Sequence, residues 1–343
     1  MTTIRFAFAG TGFSRVHARF AQDLPGVELV AVVNHRPDSM AAFAADFHIP
    51  RQYATIEALL ADGDVDAISI NTPNYLHAPQ TIAALEAGVH VLVEKPMAMN
   101  AEEARRMLET AERGHALLMV AHCYRFDAEA QWLRTRVAAG ELGRIIRTRS
   151  YGVHSNWGPG GWFTKKKLAG GGAIADMGIH ALDTIRFILG DPLPVSVYAR
   201  IGTFYGDYDV DDTGVILVNW DNGVTSVIET GWWQPYADKP NAGTQLYGTK
   251  GFGELFPTRL LLPDLQNDRE QIVEGGFDFP RSEAQNEAKY GRQLAYFLKC
   301  IEQGCTPVPG GLEGWINMLV VDAAYESSRK GEVVEIKAQM PGT

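Results

Sequence analysis

The chain has 343 residues, more than one ordinary hydrophobic core organises, so two domains are expected. It carries a formal net charge of −10, with 46% hydrophobic and 21% charged residues. This composition fits a globular chain and argues against nucleic acid as a main partner, because phosphate backbones demand basic patches. Cys123, Cys300 and Cys305 form no C-x-x-C pair, so ordinary thiols in a reducing, cytoplasmic setting are expected.

The first apolar run, Ile4 to Gly10, is short and contains Arg5, which does not fit a secretory leader. No run of ~18 apolar residues predicts a membrane span. The chain then alternates strand and helix patterns. Strands are predicted at Ile4–Ala9, Val27–Val33, Ala67–Ile70, Val89–Val93 and Leu117–Ala121. Helices are predicted at Ser14–Asp23, Met40–Phe47, Ile56–Leu60, Ala78–Ala87 and Ala101–Arg113. A β, α rhythm at about 30-residue spacing implies an α/β Rossmann-type domain with a parallel, doubly wound sheet, here over residues 1–123.

After residue 123 the rhythm changes. Helix patterns cover Glu129–Ala139 and Ile174–Leu189, with a strand at Ile145–Tyr151 and a Gly- and Trp-rich loop over 152–172 between them. Strands without intervening helices follow at Val195–Thr203, Asp212–Asn219 and Val224–Trp233, the last two joined by the hairpin signal Asp221-Asn222-Gly223. Helices at Ala288–Glu302 and Leu312–Lys330 close the chain. Residues 124–343 therefore read as an α+β domain with an antiparallel sheet.

Gly10-Thr11-Gly12-Phe13-Ser14 joins the first strand to the first helix. Glycines there let the backbone approach a pyrophosphate at a helix N-terminus. Arg15 stands at the third glycine position of G-x-G-x-x-G, and Ser14 is expected to cap the helix. The second strand ends in Asn34-His35-Arg36, without the acid that would bond the ribose of NAD. Arg36 can pair with a 2′-phosphate, which favours NADP over NAD. Thr72-Pro73-Asn74-x-x-His77 and Glu94-Lys95-Pro96 each follow a later strand, where open α/β sheets place ligands. A lysine there can bond a substrate hydroxyl and stabilise developing oxyanion charge. Asp176 and His180 lie four apart in a predicted helix, sharing one face, so the carboxylate can orient an imidazole that acts as general base.

This combination, with Gly171-Gly172-x-x-x-Asp176-x-Gly-x-His180-x-x-Asp183, resembles the glucose–fructose oxidoreductase / inositol dehydrogenase / MocA (Gfo/Idh/MocA) family over nearly the whole chain, including Gly248-Thr249-Lys250-Gly251. The resemblance implies a Rossmann domain followed by a domain with a large open sheet that mediates a homodimer or homotetramer. It implies hydride transfer between NADP or NAD and a sugar or cyclic polyol, with no metal. Lys95, Asp176 and His180 would be the catalytic set, His180 exchanging the proton. Gly10 to Ser14, Asn34, His35, Arg36, Thr72, Pro73, Asn74, His77, Glu94 and Lys95 would hold the cofactor. Arg125, His154, Asn156, Trp162 and Tyr236 are substrate-side expectations, with Trp157, Trp232 and Trp233 as further aromatic faces for a polyhydroxylated ring. Two other readings keep the fold and change the activity: a redox-inactive sensor, and a glycosidase that borrows NAD for a transient oxidation.

Overall fold

A computed structural model describes residues 3–235, 242–264, 269–277 and 283–337. They fall into two compact units. One comprises Met1–Phe126 with Ser282–Trp315, the other Asp127–Arg281 with Ile316–Thr343.

The first unit alternates β1 (Ile4–Ala9), α1 (Ser14–Ala21), β2 (Val27–Val33), α2 (Pro37–Asp46), β3 (Arg51–Tyr53), α3 (Ile56–Asp62), β4 (Ala67–Ile70), α4 (His77–Glu86), β5 (His90–Val93), α5 (Ala101–Arg113) and β6 (Leu118–Val120). The strands form a six-stranded sheet in the order β3-β2-β1-β4-β5-β6, and its strand pairs are parallel. The side chains of β1, β4, β5 and β6 are almost uniformly buried, as expected where both faces of a parallel sheet are covered. The order reverses between β1 and β4, which makes the carboxyl ends of those two strands the ligand crevice of such a sheet. Strand β3 escapes a pattern reading because three residues, Arg51-Gln52-Tyr53, carry no apolar run.

The second unit opens with α6 (Ala128–Ala138), β7 (Ile145–Ser155), the single turn α7 (Lys166–Ala169) and α8 (Ile179–Ile188). Strands β8 (Pro194–Gly202), β9 (Thr213–Trp220), β10 (Thr225–Gln234), β11 (Ala242–Gly248), β12 (Phe252–Leu255), β13 (Arg259–Asp264) and β14 (Arg269–Glu274) follow. Next come α9 (Glu283–Gln303), α10 (Gly311–Lys330) and β15 (Val334–Glu335). The sheet runs β14-β13-β12-β11-β7-β10-β9-β8-β15, antiparallel except where β7 and β10 pair in parallel. Helix α8 packs on β7, β10 and β11. The opposite face is open: register places Tyr198, Leu217, Val227 and Arg149 in one row across it, all partly or well exposed. The glycine-rich segment expected as a loop from 152 is strand as far as Ser155, and the sheet gains β11 to β14, whose short runs escaped the pattern reading.

The units are not the two continuous segments expected from the change of pattern at residue 123. Residues 282–315 return to the first unit. The reason is apolar: Leu294, Phe297 and Leu298 of α9 lie in one buried cluster with Phe6, Phe8, Leu92 and Phe126. Phe297 is fully buried. Truncating it removes that contact and leaves a cavity, at a cost of about 3–5 kcal/mol. Phe297→Ala is therefore expected to lower the melting temperature of the first unit by several degrees, measured by calorimetry of the whole chain.

Candidate active site

In the first unit, the turns after β1, β2, β4 and β5 meet through a continuous set of hydrogen bonds. Gly10 has φ +92°, and a Cβ there would stand 2.6 Å from the Asn71 carbonyl oxygen, so only glycine lets the first turn cross the end of β4. Gly12 is exposed with open space over it. Ser14 does not cap α1: the helix begins after Phe13 without a side-chain cap. Ser14 is instead fully buried, and its Oγ accepts from Asn71 Nδ2 at 3.0 Å. The start of α1 thus carries no side-chain cap, the arrangement in which a helix N-terminus can meet an anion. Arg15, at the third glycine position of the pattern, points outward and pairs with Asp46 at 2.6 Å. These features fit a dinucleotide phosphate.

Asn34 ties the second turn to the first. Its Nδ2 donates to Thr11 Oγ1 at 2.7 Å and its Oδ1 accepts from the Arg36 backbone N–H at 2.9 Å. His35 and Arg36 are exposed. Thr72, Pro73 and Asn74 follow β4, with Thr72 Oγ1 donating to Gln80. His77 is buried and its ring nitrogens lie 2.8 Å from the carbonyls of Thr72 and Pro96, so it joins these two turns. Burial holds the His77 pKa down more than the two carbonyls raise it.

Behind Lys95 runs a chain of buried polar groups that pattern reading missed. Asn71 Nδ2 donates to Ser69 Oγ (2.9 Å), Ser69 Oγ meets His17 Nδ1 (2.8 Å), and His17 Nε2 faces Glu94 Oε1 at 3.4 Å. Glu94 Oε2 accepts from the Lys95 backbone N–H at 3.2 Å. Burial pushes the Glu94 carboxyl up to about 7, opposed by Lys95, and pushes His17 down to about 3. His17 is therefore neutral at physiological pH. The Lys95–Pro96 bond is cis. Arg125, offered as a substrate contact, is buried in the turn Cys123–Phe126 after β6.

In the second unit, Asp176 lies in a π-helical turn, Ile174–Gly178, that leads into α8; His180 is the second residue of α8. A regular α-helix was expected over the whole stretch. Such π turns gather at functional sites. Asp211 builds the turn. Its Oδ1 accepts from the Gly172 N–H (2.8 Å) and the Tyr325 hydroxyl (2.6 Å), and its Oδ2 from the Ile174 N–H (2.9 Å). A Cβ on Gly172 would stand 1.8 Å from the Asp211 carbonyl oxygen, which explains the glycine run. Asp176 Oδ2 accepts from Trp232 Nε1 at 3.0 Å. Trp232 is thus a buried support for Asp176 rather than an aromatic face for a ligand. The only cue in the sequence was its position at the end of a strand. Asp183, also buried, accepts from Asn317 Nδ2 at 2.8 Å.

At the end of β7, His154 is buried and stacked on exposed Trp157, ring centroids 3.6 Å apart. Asn156 is exposed at φ +57°, and its N–H donates to the Gln234 carbonyl. Trp162 is half-buried and stacked on Phe163 at 3.8 Å. Trp233 is 39% exposed. Tyr236 lies outside the described residues. Among the described residues no cluster of His, Cys, Asp and Glu is suited to a metal ion, and no helix is long and apolar enough to cross a membrane.

Residues 4–122 match a family profile described as an oxidoreductase family with an NAD-binding Rossmann fold, and residues 130–253 match the C-terminal domain of the same family. The chain is 30% identical to D-glucoside 3-dehydrogenase of Escherichia coli (strain K12), covering 97% of each chain. It is 31% identical to 1,5-anhydro-D-fructose reductase of Ensifer adhaerens, covering 91% of this chain and 92% of that one. A solved structure of levoglucosan dehydrogenase in complex with NADH has the same fold, with a TM-score of 0.89 at 24% identity over 98% of this chain and 100% of the other. With both family domains matched and relatives aligned along nearly its full length, the chain belongs to the Gfo/Idh/MocA oxidoreductase family.

Proposed function

We propose that the chain is a nicotinamide-dependent dehydrogenase or reductase acting on a secondary alcohol or ketone of a sugar, sugar derivative or cyclic polyol. The observation that carries this reading is the first βα turn, where Gly10, an open Gly12 and an uncapped α1 suit a pyrophosphate. D-glucoside 3-dehydrogenase and 1,5-anhydro-D-fructose reductase, to which the chain is similar, support the substrate class. Gly10 to Ser14 would hold the pyrophosphate, Asn34, His35 and Arg36 the adenosine ribose, and Thr72, Pro73, Asn74, Glu94 and Lys95 the remainder. His77 serves this half through the two turns it joins. The bound nicotinamide supplies the hydride acceptor for oxidation, or the donor for reduction.

His180 takes the hydroxyl proton as the alcohol becomes a ketone, and returns it in the reverse direction. Asp176, fixed by the Trp232 indole, orients the imidazole and the substrate. Lys95 bonds the reacting oxygen and stabilises negative charge on it. Its backbone N–H bonds Glu94, whose other carboxylate oxygen faces His17, and His17 is bonded through Ser69 to Asn71. His154, Asn156, Trp157 and Trp162 offer a stacking face and amide or imidazole bonds to a polyhydroxylated ring. The open face of the nine-stranded sheet, with Tyr198, Leu217 and Val227, is the surface for self-association.

Turnover of NAD or NADP with a panel of inositols, aldoses and glycosides tests this function. His180→Ala is expected to lower kcat about 10²- to 10⁴-fold while dinucleotide binding persists. Dinucleotide binding without redox activity on any carbohydrate would instead indicate a sensor.

Arg36 and the absence of an acid at Asn34 favour NADP. NADP is therefore expected to raise the melting temperature more than NAD at equal concentration, with the difference lost in Arg36→Ala. A larger shift with NAD would reverse the assignment.

Glu94 also gives a pH signature. Its folded pKa, raised from 4.5 to about 7, contributes stability that is fully present below pH 4.5 and lost as pH rises through 7. His17, Lys95, Cys123 and Tyr290 surround it, and all are retained in Glu94→Gln. Urea melts across that window are expected to show wild type losing stability relative to Glu94→Gln, with no further change above it. The kcat/KM profile of the wild type is expected to show an ionisation near 7 that the variant lacks.

A further inference from the structure

Helix α9 ends in a cap that places two cysteines side by side. Gly304 has φ +61°. Its N–H donates to the Ile301 carbonyl at 3.3 Å, and the Cys305 N–H donates to the Cys300 carbonyl at 3.1 Å. These are the two bonds of a Schellman motif with glycine in the left-handed position. The motif brings the side chain four residues before that glycine against the one just after it, usually as an apolar pair. Here both positions are cysteine, and the Cys305 thiol is close enough to Cys300 to raise its pKa.

Their surroundings differ. Cys300 is buried and Cys305 is exposed. Burial first, and the Cys305 thiol second, push Cys300 up to about 11, so it is a thiol at neutral pH. A reagent in solution meets Cys305 first. The Tyr296 hydroxyl lies beside Cys300 and accepts from the Val308 N–H at 3.1 Å. Beyond Cys305 the chain runs against β6, where the Val120 N–H donates to the Pro309 carbonyl at 3.1 Å. The segment carrying Cys305 is thus anchored on both sides of the cap. Cys123, the remaining cysteine, is buried and its thiol is pushed up to about 11 by burial.

We propose that Cys300 and Cys305 are a reversible modification site, a dithiol that small-molecule disulfides oxidise to an intramolecular disulfide. The Cys305 thiolate attacks one sulfur of the reagent, forming a mixed disulfide and expelling one reagent thiolate, which is protonated. Cys300, losing its proton, then attacks Cys305 Sγ and expels the second reagent thiolate. One reagent disulfide is reduced to two thiols, and two cysteine thiols are oxidised to one disulfide. The cap holds Cys300 at Cys305, so the second step is intramolecular and outruns attack by free thiol. Excess dithiol reverses both steps.

The test treats the whole native protein with glutathione disulfide, quenches in acid, alkylates under denaturing conditions and digests with trypsin without reduction. Lys299 and Arg329 bracket both cysteines, so one peptide reports on both. It is expected to be lighter by two hydrogens, to take up no alkylating reagent, and to recover two reactive thiols after dithiothreitol. The oxidised protein is expected to melt a few degrees higher, because the bond restricts the unfolded chain. Cys300→Ser is expected to stop at a glutathione adduct on Cys305. A wild-type protein that also stops at that adduct, with Cys300 still open to alkylation, overturns the proposal. So does a wild type in which neither cysteine reacts. Both results are read on the wild type and do not depend on a variant folding.

Discussion

The first βα turn forms only because position 10 carries no side chain. A methyl group there would collide with the Asn71 carbonyl, and the backbone at φ +92° would disfavour it in any case. That close approach lets the ends of β1 and β4 share one hydrogen-bond system. Asn71, freed to reach both ways, bonds Ser14 at the start of α1 and Ser69 on its own strand. From Ser69 the contacts continue through His17 to Glu94 and the backbone of Lys95. The proposed phosphate turn and the proposed catalytic lysine therefore stand at two ends of one buried polar chain.

Such a chain is costly unless its members are satisfied, and its electrostatics show the tension. His17 is driven to its neutral form by full burial, while Glu94 holds its proton to unusually high pH for the same reason. Two titratable groups of opposite type thus face each other near a point where neither need be charged.

The second unit solves a similar problem differently. A glycine run brings backbone onto Asp211, whose carboxylate collects two backbone N–H groups and a tyrosine hydroxyl. This supports a π turn rather than a plain helix start, and the turn sets Asp176 against Trp232. The two halves share a principle: glycine removes a side chain so that a buried polar group can hold the backbone of a functional segment.

Much of this was legible in order along the chain. The β, α rhythm, Gly10 and Gly12, Glu94-Lys95-Pro96 and the Asp176, His180 pair are local patterns, and local patterns survive in one dimension. What was hidden depends on residues far apart in sequence. His17 reads as one polar residue on a helix until Ser69 and Glu94 surround it. Asp211 reads as a loop acid until Gly172 and Tyr325 reach it. The return of α9 to the first unit follows from where Phe297 and Leu294 find apolar partners, and the pairing of Cys300 with Cys305 from a cap that needs Gly304 in the left-handed region. The sequence by itself determined the order of elements and the residue types at the turns, because backbone period and glycine freedom are local properties. The tertiary structure alone decided which buried polar groups meet, because burial and hydrogen-bond partnership exist only once distant segments pack together.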